Sequence, residues 1–242
     1  MNKIAYLTIF AVLLFTACSK DEPVNPNNGD FETEVSIQYG DYEEEYFLLW
    51  RKETSIKRPI VIWAHQGGGH PNNFEDEASV LNSMDVHALS WGTQSKENYT
   101  TMEEIDSLAY SVLDWVISNT DEYKIDTNQI VISGQSRGSG YSWHLAYRDY
   151  PGIKGIYMAQ ALGETIMDSF DPTLVITEDA PPIFFTWKPG AGLNGDSHTQ
   201  DGAISVTNKY NELGISDRVL GYELDNNELY QYLPNFITDV LN

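Results

Sequence analysis

The chain has 242 residues, with 36 Asp and Glu against 14 Lys and Arg, so its formal charge is −22. A surface this acidic repels phosphate backbones, which excludes nucleic acid as a partner and fits the solubility needs of an exported domain. Cys18 is the single cysteine, so the fold holds neither a disulfide nor a thiolate metal site.

Residues 1–17 carry Lys3, an apolar run from Ile4 to Phe15, and the small residues Thr16 and Ala17 ahead of Cys18. That pattern is a secretory signal peptide, and its apolar part falls short of the about 20 residues a membrane span needs. Phe15-Thr16-Ala17-Cys18 resembles a bacterial lipobox, with Phe15 where Leu is usual. The resemblance implies cleavage before Cys18 and acylation of its thiol, hence a membrane contact through lipid. Ser19-Lys20-Asp21-Glu22 resembles the acidic tag of surface lipoproteins, implying an outer-membrane and surface-exposed location. Pro23 to Asp30 has almost nothing to bury, so 18–30 reads as a lipidated cysteine and tether. Residues 31–242 are then one domain large enough for its own core.

Within that domain, Glu32–Gly40 and Glu43–Trp50 alternate like strands around Gly40-Asp41, predicting an antiparallel hairpin. Pro59–Ala64, Val86–Trp91 and Gln129–Ser133 are apolar, β-branched runs of the kind covered on both faces. Between the last two, Ile105, Leu108, Ala109, Val112, Leu113, Val116 and Ile117 fall at helical spacing, predicting a helix over 101–119. A second helix follows Ser136 to about Asp149, and strands follow at Gly155–Met158 and Pro182–Trp187. A helix over 203–213 closed by Gly214, a strand over 218–224 and a helix over 230–241 finish the chain. The expectation is an α/β fold: a mostly parallel eight-stranded sheet, an antiparallel N-terminal hairpin, and helices on both faces.

Gly134-Gln135-Ser136-Arg137-Gly138 directly follows a strand and opens a helix, the context a nucleophile elbow requires. The flanking glycines leave room for the sharp turn, and the helix aims its positive end at a developing oxyanion. His65-Gln66-Gly67-Gly68-Gly69 ends the Pro59–Ala64 strand, where glycines let backbone N–H groups approach a carbonyl oxygen. On these two motifs, about 70 residues apart and in the right order, the chain resembles the α/β-hydrolase superfamily over 31–242. The likeness is to compact esterases of the dienelactone-hydrolase, feruloyl-esterase and polyester-depolymerase kind. It implies Ser136 as nucleophile and an oxyanion hole from the N–H groups of Gln66 and Arg137, with Gly67 as the alternate. It also implies an acid after the Pro182–Trp187 strand: Asp196, with Asp201 as runner-up.

The same likeness places the catalytic histidine after the last strand, and there the chain reads Asp225-Asn226-Asn227-Glu228. A serine hydroxyl needs an imidazole to take its proton, so either the base has moved or there is none. His198, in the glycine-rich loop from Lys188 to Asp201, is the candidate, oriented by Asp196 or Asp225; His70 is the alternate. His65, His87 and His144 read as structural. No two histidines share a ligand-like spacing with a carboxylate, so no metal is expected, and no cofactor is implied. Trp91 and Trp187 end strands at the carboxyl edge, where their faces could stack on substrate or simply pack into core and rim. The excursion over 163–180 is too short for a large lid, so an open site is expected. Two functions follow: a serine esterase acting outside the cell on a small-molecule or polysaccharide ester, or an inactive hydrolase fold that binds a glycan or surface protein.

Overall fold

The computed structural model describes residues 31–39, 45–92, 102–148, 150–162, 171–190 and 198–242. Eight strands form one sheet: β1 (Phe31–Gln38), β2 (Tyr46–Lys52), β3 (Arg58–Ala64), β4 (His87–Trp91), β5 (Ile125–Gln135), β6 (Ile153–Ala159), β7 (Ile183–Trp187) and β8 (Val219–Glu223). Their spatial order is β1-β2-β4-β3-β5-β6-β7-β8. β1 pairs antiparallel with β2 and β2 antiparallel with β4; every other pairing is parallel. The expected Gly40-Asp41 turn lies outside the described residues.

The helices are α1 (Glu75–Ser83), α2 (Met102–Ser118), the single turn α3 (Thr120–Tyr123), α4 (Arg137–Ala146), α5 (Ile204–Glu212) and α6 (Leu233–Leu241). Side-chain alternation along the central strands divides the core in two. Ile60, Ile62, Ile130 and Ile132 face Ala109, Val112, Leu113 and Val116 of α2 and Leu145 of α4. Val61, Trp63 and Val131 face Ala78 and Leu81 of α1 and Leu233, Phe236 and Ile237 of α6. Both faces of β3 and β5 are thus dry, which is why their sequences are continuous apolar runs. Each fully buried Ile or Val there contributes roughly 1.5–3 kcal/mol of transfer free energy.

Three local differences from expectation have physical causes. α1 went unpredicted, although Phe74, Ala78 and Leu81 are buried at i, i+4 and i+7 and Glu75, Asp76 and Glu77 favour its first turn. β5 starts four residues early because Ile125 pairs with Arg58 before an irregularity ahead of Ile130 absorbs the polar Asp126-Thr127-Asn128 step. α6 begins at Leu233 rather than residue 230, because Pro234 suits only a first turn.

The chain order reverses at β3. From β3 it steps to β4 on one side, then crosses over to β5 on the other. In an open parallel sheet, that reversal leaves a crevice beyond the carboxyl ends of the two diverging strands. Here it lies beyond β3 and β5, where His65-Gln66-Gly67-Gly68-Gly69 and Ser136 emerge.

Candidate active site

Ser136 joins β5 to α4 with φ 51° and ψ −120°, a backbone conformation that non-glycine residues rarely adopt. Such a residue costs on the order of 1–3 kcal/mol and persists only where its surroundings over-determine it. They do so here. The Ser136 N–H donates to the Ala159 carbonyl at 3.0 Å, and its own carbonyl accepts from the Ser139 N–H at 2.9 Å and the Ser139 hydroxyl at 2.6 Å. Ser139 Oγ in turn accepts from the Leu162 N–H at 3.0 Å, tying the turn to the end of β6.

The two glycines of the motif are there for close approach. A Cβ at Gly134 would sit 2.5 Å from Ser142 Oγ and 2.7 Å from the Gly138 carbonyl oxygen. At Gly138 it would sit 2.1 Å from the Ala64 carbonyl oxygen and 2.6 Å from that of His65. The first contact lets α4 fold back on β5. The second seats the elbow against the end of β3, so the start of the glycine-rich loop borders Ser136. Arg137 is the first residue of α4, so its N–H has no carbonyl within the helix to pair with. Gly67, exposed in the loop, lies beside the Arg137 guanidinium: a Cβ there would be 3.6 Å from Cζ. The loop holds its shape through the Gly69 N–H donating to the Gln66 carbonyl at 3.0 Å.

His198 is half-buried, and its Nε2 lies 2.8 Å from Ser136 Oγ. With the proton on Nδ1, Nε2 accepts from the serine hydroxyl and is poised to take its proton. The Lys188 N–H donates to the His198 carbonyl at 3.0 Å, which fastens the returning loop to the end of β7. The imidazole therefore arrives from the loop after β7 rather than the loop after β8. Asp196 lies outside the described residues; Asp201 and Asp225 are described and exposed.

The other histidines sit elsewhere. His70 is exposed and its backbone N–H donates to Asn73 Oδ1 at 2.7 Å, ordering the turn that leads into α1. His65 is buried with Nδ1 2.8 Å from the Gln66 carbonyl oxygen. Burial, aided by the nearby Arg137 charge, lowers its pKa to about 4, so it stays neutral beside the loop. His87 is buried at the amino end of β4 with its pKa likewise lowered to about 4, chiefly by burial. His144 is buried on α4.

The two tryptophans separate. Trp91 is 1 % exposed and belongs to the core cluster of Leu89, Ala109 and Val112, so its faces are covered by protein. The expected stacking surface at Trp91 is corrected to core packing, because alternation along β4 turns it toward α2. Trp187 stays half-buried at the end of β7, its ring 5.7 Å from that of Phe185 and its Nε1–H donating to Glu223 Oε2 at 3.3 Å.

Sequence reasoning missed what fills the loop after β8. Tyr157 donates to the Leu229 carbonyl at 2.7 Å, and Trp63 Nε1–H donates to the Tyr230 hydroxyl at 2.7 Å. The Tyr230 hydroxyl donates to Gln135 Oε1 at 3.2 Å, reaching the residue before Ser136. Asn226 accepts from the Gln160 side chain, and Gln160 itself has a positive φ of 49°. The segment after β8 is an aromatic and amide buttress behind the elbow. No local motif marks it, since its contacts join residues as far as 167 positions apart.

Among the described residues no group of three His, Cys, Asp or Glu side chains is placed to hold a metal ion. A cavity of about 860 Å³ lies at the amino end of the sheet between Tyr147, Tyr150, Pro182 and Arg218, away from Ser136.

No protein-family model and no curated protein matches the chain. Solved structures do. Thermogutta terrifontis esterase 2, phosphoramylated by tabun, superimposes with a TM-score of 0.68 at 12% identity over 86% of this chain and 95% of its own. A bacterial heroin esterase gives 0.66 at 14% over 88% and 85%. A lipase/esterase from Lactobacillus plantarum gives 0.64 at 12% over 88% and 99%. At such identities the likeness is one of architecture, and with the strand order and the elbow it establishes that this chain has the α/β-hydrolase fold.

Proposed function

We propose that the protein is a serine esterase of the cell envelope. The observation that carries this reading is the 2.8 Å contact between Ser136 Oγ and His198 Nε2 at a strained strand-to-helix turn. Ser136 Oγ attacks the ester carbonyl carbon while His198 takes the hydroxyl proton. The tetrahedral oxyanion is held by the N–H groups of Gln66 and Arg137, with Gly67 as the alternate donor. Collapse breaks the carbon–oxygen bond, and His198 returns the proton to the leaving alcohol. Water, deprotonated by His198, then frees the acid from the acyl-enzyme. Asp196 orients the imidazole and supports its positive charge. The esterase names of the similar structures support ester hydrolysis as the reaction class. The half-buried ring of Trp187 is the substrate-side aromatic.

The location belongs to the same proposal. Cleavage before Cys18 and acylation of its thiol tether the domain to the outer membrane, where acyl groups on polysaccharide are the substrates at hand. The competing reading, an inactive fold that binds a glycan or a surface protein, was motivated by the loop after β8 lacking a histidine; an imidazole beside Ser136 weighs against it.

A fluorophosphonate probe tests the reading directly. Wild type is expected to take the label and to hydrolyse short-chain nitrophenyl esters, and Ser136→Ala to do neither. No label and no turnover on folded wild type would leave the binding reading. Palmitate incorporated by growing cells is expected in the wild-type chain and absent from Cys18→Ala.

A further inference from the structure

Every ordinary arginine in a chain this acidic should find a partner. Of the five arginines in the sequence, four do so among the described residues. Arg58 pairs with Asp85 at 3.4 Å and Arg148 with Asp114 at 3.0 Å. Arg218 donates to the carbonyls of Glu178 and Ala180 at 3.0 and 2.8 Å, and Arg51 lies over the Tyr123 ring at 5.2 Å. Arg137 is the exception. Among the described residues it forms no salt bridge and its guanidinium lies alongside Gly67; its buried Nε, like those of Arg51 and Arg58, makes no hydrogen bond.

That position is specific. Arg137 follows Ser136 directly, so its backbone belongs to the elbow while its side chain runs along the loop that faces the ester carbonyl. A guanidinium stays charged at any working pH and presents a planar fork of donors that matches a carboxylate. Its positive charge is felt locally, by His65 and by the Tyr141 hydroxyl. In a chain of net charge −22, this places a fixed positive charge beside the glycine-rich loop.

Building on the esterase reading, we infer that the Arg137 side chain determines specificity by pairing with a carboxylate on the substrate, so that the preferred ester carries a carboxylate close to its scissile carbonyl. Two sources of that carboxylate share this chemistry: the acyl part, as in the hemiester of a dicarboxylic acid, or the alcohol part, as in an acylated uronic acid.

The test compares kcat/KM ratios within each preparation, so that any loss of folded enzyme cancels. The acyl arm sets nitrophenyl hydrogen glutarate against nitrophenyl valerate. The alcohol arm sets the acetylated methyl glycoside of glucuronic acid, its carboxylate free, against the acetylated methyl glucoside. Wild type is expected to favour the anionic member in one arm, and Arg137→Met to lower that anionic-to-neutral ratio about thirty-fold, the scale of a lost charge-assisted hydrogen bond. Arg137→Lys keeps the charge without the fork and is expected to recover part of the ratio. Wild type with no anionic preference in either arm overturns the inference, as does Arg137→Met keeping the wild-type anionic-to-neutral ratio, whatever its absolute rates. Wild type that hydrolyses neither class and takes no fluorophosphonate would sink the esterase reading itself, a distinguishable result.

Discussion

Gly138→Ala is the sharpest test of how the site is assembled, because a single methyl group meets only backbone. The added Cβ would lie 2.1 Å from the Ala64 carbonyl oxygen and 2.6 Å from that of His65, neither of which can rotate away. An ordinary carbon–oxygen contact needs at least another 1 Å or so, so α4 and the end of β3 must part by about that much. Over-packing of this kind costs roughly 1–3 kcal/mol of stability. The functional loss is larger, because the displaced interface seats the Ser136 turn against the end of β3, where the proposed oxyanion loop begins. A misplacement of about 1 Å costs on the order of 100-fold in rate. The assays are kcat/KM on a short-chain nitrophenyl ester, normalised to sites titrated by fluorophosphonate, and the urea midpoint. Gly214→Ala is the control: φ is +74° but nothing lies within 4 Å, so it should cost about 1 kcal/mol and leave turnover per titrated site unchanged. Wild-type turnover in Gly138→Ala would refute the packing of the elbow on β3 described above.

Three further outcomes follow from the same geometry. His198→Gln should lower kcat about 1,000-fold or more, and Asp196→Asn should lower it substantially while Asp201→Asn does not; turnover retained by His198→Gln would assign the base elsewhere, with His70 the next candidate. His87 has its folded pKa lowered to about 4 from 6.5, so its neutral form stabilises the fold above pH 6.5 and that contribution is lost as pH falls toward 4. At pH 5 the loss is about 2 kcal/mol, so the drop in urea stability between pH 7 and pH 5 should shrink by about that much in His87→Gln, and an unchanged drop would rule the linkage out. Tyr230→Phe strands the Trp63 Nε1–H and Gln135 Oε1, at a cost of about 1–3 kcal/mol by thermal or urea unfolding; a variant as stable as wild type would show that the buttress carries no load.

The fold was readable because its signals are local. Ile60-Val61-Ile62 and Ile130-Val131-Ile132 can be buried on both faces only as central parallel strands, and Gly134-x-Ser136-x-Gly138 is demanded by contacts within nine residues of the serine on one side and the neighbouring strand end on the other. What escaped depends on partners distant in sequence. Trp91 stands at a strand end like Trp187 and faces the same core, and only the cover over each strand end, supplied by residues distant in sequence, buries one ring and leaves the other half-buried. The Tyr230 hydroxyl joins Trp63 to Gln135 across 167 and 95 positions, and no periodicity encodes that.

These two kinds of feature meet at the base. A histidine after β8 would have to share its loop with Leu229 and Tyr230, which are packed beneath the elbow, and with Asn226, which is bonded to Gln160. The His198 imidazole comes instead from the loop after β7. His198 is fastened by its backbone bond to Lys188 and reaches Ser136 from that strand end. Moving the imidazole one strand inward leaves the β8 loop free to stiffen the nucleophile from behind. On this argument Tyr230→Phe and His198→Gln differ in kind: the first should loosen Ser136 and lower stability and turnover together, the second should lower turnover alone.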